Sequence, residues 1–108
     1  ACANPLTARF DVTHGIAVGL MMPHVVRFNS ELANTSPYAM LDPSADSLAR
    51  GLETALAVAE FPTRLRDLDI PRESLVQLAE LAAAQWTATF NPRPVGRAEL
   101  LEIYIRAW

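Results

Sequence analysis

Two histidines are the side chains of this sequence best suited to metal or proton chemistry. His14 and His24 lie in an almost entirely apolar run, residues 13–28, whose only other ionisable side chain is Arg27. A neutral imidazole is the commonest metal ligand, and it titrates near neutral pH. In a helix, ten residues correspond to roughly 15 Å along the axis and to different faces. One ion therefore cannot bind both histidines, and at most one of them belongs to a metal site.

The apolar run that carries both histidines predicts a central, buried helix. A helix that is apolar on all sides belongs inside a domain, and this run is too short and too interrupted to cross a membrane, which takes roughly 20 apolar residues. Gly15 and Gly19 lie one turn apart and leave a smooth stripe for close packing. Pro23 pushes on the carbonyl four residues earlier, and that residue is Gly19, whose backbone can yield. We therefore expect a helix over residues 14–28 that is kinked at Pro23 but continues through it.

Other stretches predict further helices. Residues 1–10 are typical of the end of a helix, with a kink at Pro5, and residues 29–43 are typical of a loop with one turn near its end. The pair Asp42-Pro43 predicts a helix start, because an acid caps the first turn and proline fits the first helical position.

Apolar residues recur at helical spacing after Asp42-Pro43, after Pro71 and again near the C-terminus. The expected buried faces are Leu48, Leu52, Ala55, Leu56 and Ala59 in the first helix, Leu75, Leu78, Ala79, Ala82 and Trp86 in the second, and Leu100, Ile103, Tyr104 and Ala107 in the third, over residues 97–107. Between them we expect a break at Pro62, a helical turn at 63–68 and an extended loop at 91–94. No strand pattern appears, so the sequence predicts one all-α domain over residues 1–108, a bundle of four to five helices.

Composition excludes several classes of function. The chain is 51% hydrophobic and has a net charge of −3, without a basic patch, so a packed core is expected and a nucleic-acid partner is not. The single cysteine, Cys2, cannot form an internal disulfide, which is typical of a reducing compartment. We therefore expect a cytoplasmic protein in which Cys2 fills a small space in the core; a reactive thiol is the alternative.

An ordered set of short motifs spans essentially the whole chain. The motifs are Asn4-Pro5-Leu6, Thr13-His14-Gly15, Pro23-His24-Val25, Phe28-Asn29, Asp69-Ile70-Pro71-Arg72-Glu73, Asn91-Pro92-Arg93-Pro94 and the terminal Tyr104, Arg106, Ala107 and Trp108. In this order they resemble the C-terminal, helical metal-binding domain of the iron-containing (group III) alcohol dehydrogenases. Each motif alone is modest, but the ordered set is specific.

The resemblance assigns one metal ligand to this chain. His14 matches a metal-ligand histidine of that family, whereas a second ligand histidine would lie directly before Ala1. The remaining ligands, an aspartate and a histidine, would belong to a still earlier helix. A further active-site histidine of the family falls on Asn4, and an amide cannot carry a proton near neutral pH. Either Asn4 faces the site and the proton relay is altered, or Asn4 is an amide on the helix surface.

The resemblance also brings the segment before residue 91 to the substrate side of the cleft. Trp86, Thr87 and Phe90 are therefore candidate substrate-pocket residues, with the alternative that Trp86 only closes the buried face of its helix. Arg93 is expected to fix the loop by bonding carbonyls or an acid. For His24 the favoured interpretation is a buried structural histidine that donates to a backbone carbonyl.

The function that the resemblance implies needs more than this chain. In the full-length parent, Fe²⁺ or Zn²⁺ polarises the oxygen of an alcohol, and NAD(P) bound to another domain accepts the hydride. The sequence contains four glycines and no glycine-rich nucleotide fingerprint, so the nucleotide-binding domain is absent from it. We therefore expect a C-terminal fragment that binds no metal or cofactor and is inactive alone, with the missing N-terminal half as its partner. The alternative is a stand-alone helical interaction or oligomerisation module that self-associates through an exposed apolar face.

Overall fold

The computed structural model describes residues 1–108 and contains five α-helices and no strand, which confirms the predicted all-α architecture. Three short 3-10 helices lie between the α-helices, at Leu65–Leu68, Arg72–Ser74 and Trp86–Phe90. The α-helices are α1 (Ala3–Phe10), α2 (His14–Ser30), α3 (Ala45–Val58), α4 (Leu75–Ala83) and α5 (Arg97–Ala107). None of them is both long and apolar enough to span a bilayer.

Helix α2 is the centre of the bundle, as predicted, since it packs against α1, α3 and α5. It continues through the buried Pro23 to Ser30, while the kink itself stays a prediction. A Cβ added at Gly19 would lie only 3.1 Å from the Leu56 side chain, so the missing side chain lets α3 approach. The expectation of an all-round buried helix is wrong along one side, because Gly15 is exposed and Met22 is 38% exposed.

The structure differs from the predicted helices in three ways. Pro5 lies in the first turn of α1, where a missing N–H removes no helical hydrogen bond, so no kink is needed there. Helix α3 begins at Ala45 and is capped by Ser44, whose hydroxyl accepts from the Ser47 N–H. The carboxylate of Asp42 accepts instead from the N–H of Ser44 at 2.8 Å, and this bond delays the helix start.

The third difference concerns the predicted buried faces. Helix α4 ends at Ala83, so Trp86 does not extend its buried face and is 72% exposed. On α3 only Leu56 of the predicted face is buried, whereas Ala55 and Ala59 are exposed. Helix α5 has the predicted bounds, and all four of its predicted core residues are buried. The core is formed mainly by α1, α2, α4 and α5, with α3 attached to α2 at its edge.

Two aromatic side chains near the C-terminus are hydrogen-bonded to distant parts of the chain. The hydroxyl of Tyr104, which is fully buried, donates to the carbonyl of Cys2 at 2.7 Å. The indole N–H of Trp108 donates to the carbonyl of Ile70 at 2.9 Å. Burial raises the pKa of the Tyr104 hydroxyl far above its ordinary value, so this hydroxyl remains a donor at all physiological pH values.

Substituting Tyr104→Phe should destabilise the chain by about 1–3 kcal/mol, because the carbonyl of Cys2 would stay buried without a donor. Denaturant unfolding followed by circular dichroism measures this change. Ile105→Ala is a suitable control, since Ile105 is half-exposed on the same helix and should change stability by less than about 0.5 kcal/mol. Equal stability of Tyr104→Phe and the wild type would contradict the structural role of this hydrogen bond.

Candidate functional site

His14 is the first residue of α2, and its side chain is exposed. Its Nδ1 lies 3.5 Å from the Thr7 hydroxyl of α1, at the upper limit for a hydrogen bond. No three His, Cys, Asp or Glu side chains lie together in a way that could hold a metal ion. A catalytic zinc-type site needs about three protein ligands. The residues of this chain therefore supply one accessible imidazole donor, and they do not make a complete site by themselves.

Asn4 lies on α1 and is half-buried. Its side-chain N–H donates to the side-chain oxygen of Gln85 at 2.9 Å, which ties α1 to the segment that follows α4. The structure therefore places Asn4 between two elements, and neither at an open surface nor in the wall of the cavity described next. A role for Asn4 in a proton relay stays a prediction.

An apolar cavity of about 220 Å³ lies between the N-terminus, α2, α5 and the 3-10 helix Trp86–Phe90. Its wall includes two of the three predicted pocket residues, Thr87 and Phe90, together with Ala1, Cys2, Val25, Asn91, Leu100 and Ile103. Trp86, the third, does not line it and packs edge-to-face on the ring of Phe90 at 5.5 Å. The alternative for Trp86, the closing residue of a helix face, is wrong because α4 has already ended.

Thr87 carries the one buried side-chain polar atom that has no hydrogen-bond partner in this structure, its Oγ1. A buried hydroxyl without a partner costs about 1–3 kcal/mol. The neighbouring cavity wall is mostly hydrophobic, and burial raises the pKa of the Cys2 thiol to about 11, so this thiol is uncharged. Cys2 is thus a small core residue, as predicted. The cavity has a mostly apolar wall to which Thr87 belongs, and a concave apolar site of this kind suits a small organic molecule.

The loop that closes this cavity is fixed by a network that the sequence did not reveal. Asn29 is 2% exposed, and its side-chain N–H donates to the amide oxygen of Asn91 at 2.9 Å. Asn91 donates back to Asn29 at 2.6 Å. Arg93 donates to the carbonyl of Phe28 at 2.7 Å and pairs with Glu31 at 3.3 Å, which confirms its predicted bonding to carbonyls and an acid. The sequence signal for this network was an asparagine, Asn29, directly after the apolar run of residues 13–28.

His24 does not have the surroundings predicted for it. It is only half-buried and makes no hydrogen bond to a backbone carbonyl, so that interpretation is wrong. It lines a polar cleft between α2 and α3, apart from the cavity of Thr87. Burial lowers the pKa of His24, while the nearby carboxylate of Glu53 opposes this change. His24 is therefore uncharged at neutral pH.

The sequence of this chain is similar to known proteins along its whole length. A model of the C-terminal region of the Fe-containing alcohol dehydrogenase family matches residues 1–108. The 1,3-propanediol dehydrogenase of Citrobacter freundii is 29% identical over all of this chain and 31% of its own length. The lactaldehyde reductase of Escherichia coli strain K12 is 24% identical over 98% of this chain and 31% of its own length.

The fold has a close counterpart among solved structures. A crystal structure described as 1,3-propanediol oxidoreductase superposes with a TM-score of 0.82, at 26% sequence identity, over 99% of this chain and 31% of that one. The chain thus spans about a third of the length of these relatives, and it matches the solved structure along almost all of its own length. These matches confirm the resemblance carried by the ordered motifs: the chain belongs to the Fe-containing alcohol dehydrogenase family, and it corresponds to the C-terminal, helical domain of that family.

Proposed function

We propose that this chain is the metal-site domain of an iron-dependent, NAD(P)-linked alcohol dehydrogenase, an enzyme that oxidises a primary alcohol or reduces the aldehyde. The observation that carries the proposal is the apolar cavity at the N-terminus, whose wall contains both Ala1 and Thr87. In the family that the chain belongs to, a second ligand histidine would lie directly before Ala1. The substrate would then bind beside the metal, with its apolar part in the cavity.

His14 is the residue of this chain that would hold the metal, Fe²⁺ or Zn²⁺. It is exposed at the start of α2, and no ion pair or short hydrogen bond occupies its ring. When bound, such an ion acts as a Lewis acid on the alcohol oxygen. The remaining ligands and the NAD(P) site would come from the N-terminal half that the relatives possess beyond the matched region. Without that half, we expect no dehydrogenase activity.

Thr87 and Phe90 would orient the substrate. Thr87 lines the cavity, and its hydroxyl, which is buried without a partner within the chain, would turn toward a polar group of the bound molecule. The ring of Phe90 lies in the wall, and the paired amides of Asn29 and Asn91 hold the following loop in place. An apolar wall that contacts the carbon chain also excludes water from the reacting end of the substrate.

Substituting Thr87→Val should leave the free energy of unfolding unchanged or raise it by up to about 1–3 kcal/mol, because it removes a buried hydroxyl without a partner and keeps the branched shape. Thr89→Val is the matched control on the same 3-10 helix, since its hydroxyl donates to the carbonyl of Trp86 at 2.7 Å. That control should lose about 0.5–1.5 kcal/mol. If both variants are destabilised equally in denaturant unfolding, Thr87 has a partner within the chain and is not reserved for a ligand.

The metal proposal predicts a difference between two forms of the protein. The 108-residue chain should not retain a divalent ion after dialysis against a chelator and re-addition of Fe²⁺ or Zn²⁺, because one imidazole is too few ligands. The chain extended by its upstream coding sequence should retain about one ion, as a complete catalytic site does. Elemental analysis measures both. His14→Ala should abolish retention by the extended form, and His24→Gln, at the other histidine, should not.

Two outcomes would contradict the metal proposal. An upstream sequence without a nucleotide-binding domain would remove its basis. Retention of one ion by the 108-residue chain, lost in His14→Ala, would mean that another subunit completes the ligand set.

The second candidate function is a stand-alone interaction module. An exposed apolar groove of about 260 Å³ lies between α2 and α3, and Leu56 and Phe61 are among its lining residues. The other lining residues are Gly15, Gly19, Leu52, Ala55 and Ala59. An apolar surface of this kind favours association with a second copy of the chain.

The module hypothesis predicts that the 108-residue chain self-associates through this groove. Ala55→Glu places a carboxylate in the exposed part of the groove and should return the chain to a monomer, because a desolvated charge would be needed in the interface. Ala8→Glu adds the same charge on an exposed site of α1 and should have no effect. Light scattering at high concentration measures both, and a monodisperse wild-type monomer would argue against the module.

A further inference from the structure

A second concave site lies beside α2, apart from the cavity of Thr87, and no residue lines both. It is a cleft of about 500 Å³ between α2, α3 and the segment that follows α3. Its wall is almost entirely polar, with a single alanine as its hydrophobic member. The polar residues are His24, Arg50, Glu53, Thr54, Thr63 and Arg64.

One of the guanidinium groups around the cleft has no ion-pair partner. Both carboxylate oxygens of Glu53 are held by Arg27, one of them at 3.0 Å. The carboxylate of Asp46 is shared between Arg27, at 3.1 Å, and Arg50. The guanidinium of Arg64 has no carboxylate within 4 Å, although the carboxylate of Asp67 accepts from the backbone N–H of Arg64 at 3.1 Å. The carboxylates of Glu53 and Asp46 are thus already paired, and the guanidinium of Arg64 is left without an ion pair.

Hydrogen-bond donors in the cleft are also unused. Neither ring nitrogen of His24 makes a hydrogen bond, although the side chain is half-buried, and the hydroxyl of Thr63 makes none either. The hydroxyl of Thr54 is already used, since it donates to the carbonyl of Arg50 at 2.9 Å. The charged groups that act on His24 are Glu53 from α3, Arg64 from the following segment, and Arg27 and Arg106 from α2 and α5. Only the first of these is an anion, and Arg27 already binds it.

We propose that this cleft binds the phosphate group of a small molecule, with Arg64, His24 and Thr63 as its donors. A planar guanidinium presents a fork of N–H groups that matches a phosphate, and such charge-assisted bonds are stronger than neutral ones. The cleft is much larger than a bare phosphate, which is comparable to a few water molecules of about 30 Å³ each. Because the rest of the wall is polar, the additional room suits a hydroxylated body. The ligand is therefore free phosphate or a polyhydroxy phosphate monoester.

Isothermal titration calorimetry on the 108-residue chain at constant ionic strength tests the site, with inorganic phosphate and glycerol 3-phosphate as probes and glycerol as the neutral control. Both anions should bind, and glycerol should not. Arg64→Gln should weaken binding at least about tenfold, the loss of one charge-assisted contact. Arg66→Gln is the matched control, because Arg66 is an exposed arginine two residues away that does not line the cleft.

Proton NMR provides an independent readout, since the chain contains only two histidines. Phosphate should move the imidazole resonances of His24 and leave those of His14, roughly 15 Å away along α2, in place. Tighter binding of glycerol 3-phosphate supports the monoester, and equal binding supports free phosphate. Absence of binding, equal weakening in Arg64→Gln and Arg66→Gln, or a shift of both histidines would overturn the proposal.

Discussion

The paired amides of Asn29 and Asn91 are the contact on which the arrangement of the cavity depends. Each amide donates one N–H to the oxygen of the other. The side chain of Asn29, near the end of α2, and that of Asn91, in the loop, therefore satisfy one another. The loop that they anchor contains two prolines, which have no N–H to bond with neighbouring segments. Side chains must therefore hold this loop, and Arg93 adds a second bond, to the carbonyl of Phe28 at the end of α2. Together these bonds keep Phe90 and Asn91 in the wall of the cavity.

Periodicity and helix-breaking residues were enough to predict most of the fold. The bounds of α5 and the central position of α2 follow from apolar spacing over long segments, where the pattern is repeated several times. The start of α3 could not be predicted, because Asp42 and Ser44 are both good caps and the sequence does not say which one accepts from the helix. Trp86 was assigned to the face of α4 by spacing alone. The backbone becomes extended two residues after the last residue of α4, however, and the indole is exposed.

The candidate site was less predictable than the fold. Thr87 and Phe90 were proposed from the family resemblance, and the structure brings them to one cavity with Ala1 and Cys2, which lie far away in the sequence. No local sequence pattern predicts that these residues line one cavity, because their proximity depends on how α1, α2 and α5 pack. The cleft of Arg50 and Arg64 was missed for the same reason. The lack of an ion pair at Arg64 can be recognised only when the partners of Glu53 and Asp46 are known.

Helix α2 contributes residues to the proposed metal position, to the apolar cavity and to the polar cleft. Its packing decides how far these three sites can influence one another. His14 begins the helix, while the consecutive residues His24 and Val25 face the cleft and the cavity, about 100° apart around the axis. A rotation of α2 that altered one wall would alter the other. The fully buried Leu20 and Phe28 on the same helix oppose such a rotation, because a packed core has few alternative arrangements. Ligands couple only when they favour different states of the protein, and a fixed α2 offers one state to both. The packing therefore favours two sites that share a helix and bind their ligands independently.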